Sequence, residues 1–206
     1  PGPPSWAVNY IRLILASESA RRRDLLIGVG IIPTIVPSNV KEDLDEEVPS
    51  PESLVKRLAE KKVRAVLSRY PDDYILGADT LVYLGEEVLG KPQSELEAEE
   101  MLRRLSGKVH SVYTGVALYD PEARIMRTAY DCTAVKMRTL DEEDITWYVE
   151  TGEPVDKAGA YALQGAGAFL IEKIEGDYTG VIGLPLPKVL GLFTEAGVSI
   201  RDLIEA

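Results

Sequence analysis

A chain of 206 residues with 45% hydrophobic and 28% charged residues suits one globular domain with a real apolar core. Its net charge of -11 excludes general gripping of a nucleic acid polymer, which depends on counterion release by Lys and Arg. A lone cysteine, Cys132, excludes an internal disulfide and fits a cytoplasmic setting, and a lone histidine, His110, excludes multi-histidine metal sites.

The opening "PGPPSWAVNY" lacks the cationic-then-apolar pattern of a signal peptide and is expected to be a loose tail over 1–10, with a single domain over 11–206. "IRLILA" (11–16) predicts a buried strand. Ser19 then predicts the N-cap of a helix reaching about Ile27, closed by Gly28 or Gly30. "IIPTIV" (31–36) predicts a second strand, and the acidic loop "KEDLDEEVPSP" follows it. Ser50-Pro51 starts a helix running to about Arg69, with an apolar stripe of Leu54, Leu58, Ala59, Val63, Val66 and Leu67. "YILGAD" (74–79) reads as a strand ending in a carboxylate, and 80–92 as a hairpin turning at Gly85-Glu86. A helix over 94–106, two Val/Thr/Tyr-rich strands joined by "PEAR", and an acid-capped helix at "DEEDITWYVET" come next. A glycine-rich loop, a strand "FLIEKI" and helices at "LPKVLGLFTEAGV" and "RDLIEA" complete the chain. The alternation makes the class α/β, with a mixed sheet because hairpins interrupt the parallel order. No stretch nears the ~20 apolar residues of a membrane span.

Four stretches could carry chemistry. In "ASESARRR", Arg21, Arg22 and Arg23 fall in the first turn of a helix, the end where cations are disfavoured. An incoming anion reverses that sign, and helix N–H groups, a serine hydroxyl and guanidiniums form a phosphate receptor. Successive helix residues differ by 100°, so one or two arginines would face the ligand and one solvent or a carboxylate. A solvated charge run is the plain alternative. In "ILGADT", Asp79 offers a metal ligand or general base at a strand end, or a turn-forming side chain, and Thr80 adds a hydroxyl. Lys91 in "GKP" is a point charge for phosphate or an exposed turn residue. In "DKAGAYALQG", the glycines permit close approach to a ligand, and Gln164 carries an amide able to read a base edge; a surface loop is the alternative. His110, without a nucleophile motif, is expected to be a partly exposed strand or loop residue.

Taken in order, these stretches resemble the Maf family of nucleoside triphosphate pyrophosphatases. The matching blocks are "LASESARRRDLL" (15–26), "GADT" (77–80), "GKP" (90–92), "MLRRLSGKVHSVYTGVAL" (101–118), "GEPVDKAGAYALQG" (152–165) and "GDYTGVIGLPL" (176–186). The resemblance implies an elongated α/β fold of inosine triphosphatase type, two lobes about a deep cleft. It implies hydrolysis between the α and β phosphates of a nucleoside triphosphate, with Mg2+ or Mn2+. Asp79 matches the catalytic base and a metal ligand, Glu42 a second metal ligand, Ser17, Arg21, Arg22, Lys61 and Lys91 the substrate-binding residues. Arg22, Thr80 and Gln164 match the positions that set specificity, and they resemble the branch preferring dTTP and UTP. Ala20 stands where the family usually has proline. The same reaction on 7-methyl-GTP or another modified nucleotide, and a nucleotide-dependent regulator of cell division, stay open as alternatives, as does a homodimer.

Overall fold

The computed structural model describes residues 11–40 and 49–204. The expected tail over 1–10 and the acidic loop residues 41–48, Glu42 among them, lie outside the described residues. In chain order the elements are β1 (Leu13–Leu15), α1 (Ala20–Gly28), β2 (Thr34–Ile35), α2 (Pro51–Leu67), β3 (Tyr74–Leu84), β4 (Glu87–Leu89) and α3 (Glu95–Leu105). There follow β5 (Val109–Asp120), β6 (Ile125–Met137), α4 (Glu142–Glu150), three short 3-10 turns within 153–170, β7 (Ile171–Glu175), α5 (Tyr178–Ile182), α6 (Leu186–Glu195) and α7 (Ile200–Leu203).

The strands form one mixed sheet in the order β2-β1-β3-β5-β6-β7, with β4 folded back on β3. β2, β1 and β3 run parallel, joined through α1 and α2; from β3 onward the pairing is antiparallel. Caps mark the helix starts that the sequence signals. Ser19 accepts from the Arg22 amide, Ser50 from Ser53, Ser94 from Glu97, and Asp141 closes a capping box with Asp144.

The strand "YILGAD" does not end at Asp79 but continues through "TLVYL" to Leu84 before the expected turn at Gly85. The extra residues are apolar, aromatic or β-branched, pair with β5 as far as Tyr83, and so prolong the strand. Asp79 is therefore mid-strand. What opens there is the strand's other edge. β1 pairs β3 over Tyr74–Leu76 and β4 pairs it over Val82–Leu84, so among the described residues 77–81 have no strand partner on that side.

Each face of the sheet is covered differently. α2 lies across one face, its Val55, Leu58, Ala59, Val63 and Val66 packed on Ile75, Leu81, Tyr83 and Ala117. It comes very close at two glycines: a Cβ on Gly115 would sit 2.2 Å from the Val55 carbonyl, and one on Gly77 2.7 Å from that of Ala59. The opposite face carries two separate packets. Leu26 of α1 and Val189, Leu192 and Phe193 of α6 cover Leu76, Ala78 and Val116, while α3, α4 and the 3-10 turns cover Val82, Val112 and Val135. Between the packets lies a cleft. His110, expected to be partly exposed, is buried instead at 2% exposure, because its strand face is roofed by Tyr161, whose hydroxyl lies 2.7 Å from its Nε2.

Candidate active site

The cleft of about 550 Å³ enters through the unpaired edge of β3. That position explains how neighbours in sequence share it. Asp79 and Thr80 point to opposite faces of the sheet, yet both line the opening because no strand shields the edge between them.

Ser17 leaves β1 buried at the cleft wall; its Oγ accepts from the Ser19 amide at 3.1 Å and from Arg22 Nη1 at 3.4 Å. The three arginines then separate as helical geometry requires. Arg22 turns inward, donating through Nε to the Gly183 carbonyl (2.7 Å) and through Nη2 to Thr80 Oγ1 (3.2 Å). Arg21 lines the cleft and reaches Asp156, 3.8 Å away on the other packet. Arg23 points to solvent and pairs with Asp24. The Lys157 hydrogen bond, helped by the charge of Arg21, holds the Asp156 carboxyl below its usual range.

Asp79, 1% exposed, lies at the floor. Its Oδ1 accepts from the ammonium of Lys62, which also donates to the Ala78 carbonyl at 3.4 Å. A buried ion pair persists only where hydrogen bonds offset the desolvation of both ions, and here the main chain supplies one of them.

Lys91, in the loop after β4, and Gln164, in the glycine-rich loop, also line the cleft; the Gly159 amide bonds the Gly90 carbonyl (3.1 Å) and joins the two loops. Lys61 is the exception. The structure places it outside the cleft, with Lys56, Arg57, Glu60 and Arg64 beside Thr128. One helical step is 100°, so the lysine that reaches Asp79 is its neighbour Lys62. Lys157 and Asp156 are further cleft residues; both lie in the matched block "GEPVDKAGAYALQG", where two adjacent opposite charges beside the glycines are the signal that marks them. Among the described residues the cleft gathers five cations, Arg21, Arg22, Lys62, Lys91 and Lys157, and three carboxylates, Glu18, Asp79 and Asp156.

The profile of the Maf-like protein family matches residues 12–196. This chain belongs to the Maf family. Its relatives include a protein of Symbiobacterium thermophilum, 50% identical over 189 residues (92% of this chain, 96% of that one), and one of Bacillus velezensis, 46% identical over 187 residues (91% and 97%). Both are named dTTP/UTP pyrophosphatase. Among solved structures, a HAM1 protein from Coxiella burnetii shares the fold, with a TM-score of 0.51 at 14% identity, covering 90% of this chain and 99% of that one. The Maf blocks quoted from the sequence thus converge in space. "LASESARRR", "GADT", "GKP" and "DKAGAYALQG" all contribute to one cleft wall or another.

Proposed function

We propose that this chain hydrolyses nucleoside triphosphates, dTTP and UTP foremost, between the α and β phosphates, releasing the monophosphate and pyrophosphate. The observation that carries the reading is the cleft itself. A protein of net charge -11 gathers five cations around one buried carboxylate, an arrangement suited to a polyanion whose anhydride must be attacked by water. Membership of the Maf family and relatives named for this activity support it.

The roles follow from position. Asp79 accepts the proton of the attacking water, and Lys62 orients that carboxylate. The water's oxygen bonds to phosphorus as the α–β anhydride breaks, and pyrophosphate leaves with the electron pair. Arg21, Lys91 and Lys157 neutralise its charge; Ser17 and Arg22 hold the substrate at the β1–α1 turn. Thr80 and Gln164 face the base.

A divalent cation fits this site in one form. Among the described residues no three His, Cys, Asp or Glu side chains come together, so a cage made wholly of protein is absent there. A hard cation such as Mg2+ keeps to one or two carboxylates together with substrate phosphates, and Asp79 at the floor supplies such an oxygen donor. Asp79, with Glu42 by family resemblance, would hold it, and it would supply charge neutralisation at the phosphates.

Pyrophosphate release from dTTP, UTP, ATP and 7-methyl-GTP, with Mg2+ or Mn2+ and then with chelator, tests the reading. We expect fast release from dTTP and UTP that chelator abolishes. Preference for 7-methyl-GTP would overturn the substrate assignment, and no release from any nucleotide by folded protein would overturn the reaction.

A further inference from the structure

Beneath Thr80, on the face away from α2, runs a line of hydroxyl groups with a fixed proton order. Thr114 is fully buried on β5 and pairs directly with Thr80 across the β3–β5 register. Its Oγ1 lies 2.8 Å from the Gly180 carbonyl oxygen and 2.9 Å from Thr80 Oγ1. A carbonyl can only accept, so the single hydroxyl proton of Thr114 goes to Gly180. That carbonyl has need of it. The Leu184 amide, which would close the next helical bond onto Gly180, donates to the Thr179 carbonyl instead (2.9 Å) as α5 ends.

With its proton spent, Thr114 can only accept from Thr80. The Thr80 proton therefore points down into the protein. Arg22 Nη2 donates to the same oxygen from the cleft side at 3.2 Å. The order runs from Arg22 to Thr80 to Thr114 to Gly180, and it leaves Thr80 with nothing but a lone pair to show the cleft.

We propose that Thr114 is a positioning residue for substrate selection. By holding the Thr80 hydroxyl as a pure acceptor, it makes the site select a base whose ring atom facing that oxygen carries a proton. The imide N3–H of uracil or thymine meets that demand, and the bare N3 of cytosine does not. A phosphate oxygen is refused there for the same reason, which leaves the triphosphate to the cations of the cleft. The inference rests on the pyrophosphatase reading above and deepens it.

The test is the ratio of kcat/KM for UTP to that for CTP, measured by pyrophosphate release. Thr114→Val keeps the β-branched shape but frees the Thr80 hydroxyl to turn and donate. The wild-type protein is expected to favour UTP, and Thr114→Val to lower the ratio about ten-fold, the scale set by one misdirected buried hydrogen bond. Thr114→Ser keeps the hydroxyl and is expected to keep the ratio. A purely structural Thr114 would lower stability in the valine variant and leave the ratio untouched, which overturns the proposal. If Thr114→Val does not fold, Thr114→Ala decides by the same ratio: a lowered UTP preference supports the proposal and an unchanged one overturns it. A wild-type protein that turns over UTP and CTP equally overturns this inference alone. One that releases no pyrophosphate from either overturns the reaction as well.

Discussion

Lys62 occupies a position that helical periodicity assigns to the core. It falls among Val55, Leu58, Ala59, Val63 and Val66 at the spacing of one buried stripe, whereas Lys61 is turned away by 100°. A lysine on an apolar stripe is a signal present in the sequence, because a buried ammonium needs a partner. The two lysines separate experimentally. Lys62→Met removes the cation beside Asp79, and kcat is expected to fall about 100-fold, the scale of losing one electrostatic contact in a water-poor site. Lys61→Met is expected to change kcat by less than about three-fold, as for surface substitutions in general. Steady-state kinetics of both variants checks the assignment, and a reversed result would move the catalytic lysine.

At the scale of elements, the site depends on how closely α2 approaches the sheet. Gly115 is paired with Asp79, and any side chain there would collide with the main chain of α2 at Val55. Gly115→Ala is expected to destabilise the protein by about 1–3 kcal/mol or more, since backbone cannot yield as a flexible side chain can. It also displaces the helix that carries Lys62, so activity should fall with stability. Gly191 in α6, where an added Cβ meets nothing within 4 Å, is the control: Gly191→Ala is expected to be neutral or to stabilise by up to about 1 kcal/mol. Thermal unfolding of the two variants reads the contrast. Most elements were legible because their signals are local, such as the caps at Ser19, Ser50, Ser94 and Asp141, and the hairpin at Gly85-Glu86. The stretch 152–170 and α5 were not. Their turns are too short to show a period, and they are held by partners far along the chain, as when Glu153 accepts from the Ala166 and Gly167 amides. The site was legible in part. Motif residues marked Ser17, Arg22 and Asp79, but nothing local distinguishes Thr114 from any other strand threonine.

The whole molecule binds its two packets to one sheet, and His110 stands under the distal one. Burial pushes its pKa down to about 4, so it is neutral in the folded protein across the physiological range. Between the ordinary value near 6.5 and about 4, the unfolded chain binds a proton that the folded one refuses. The contribution is therefore intact above pH 6.5 and is lost as pH falls toward 4, amounting to about 3 kcal/mol over that window. His110→Gln retains a polar partner for Tyr161 without a titrating group. Denaturant unfolding as a function of pH should show the wild-type protein losing stability faster than this variant between pH 6.5 and 4; parallel curves would remove His110 from the account.

The open stretch of β3 has a consequence for how such a site can change over evolution. Main-chain direction alternates along a strand, and the Ala16 amide bonds the carbonyl of Leu76, so the N–H and C=O groups of Ala78 and Thr80 turn toward the same edge. Between β1 and β4 that edge is an unfinished ladder facing the cleft. Side chains around it can drift and alter which nucleotide is accepted. The rungs themselves belong to the fold, and no substitution short of breaking the sheet can delete them. A ligand group that reaches that edge meets the same main-chain groups whatever side chains surround them, so recognition by the main chain stays fixed while the preference set by side chains can change.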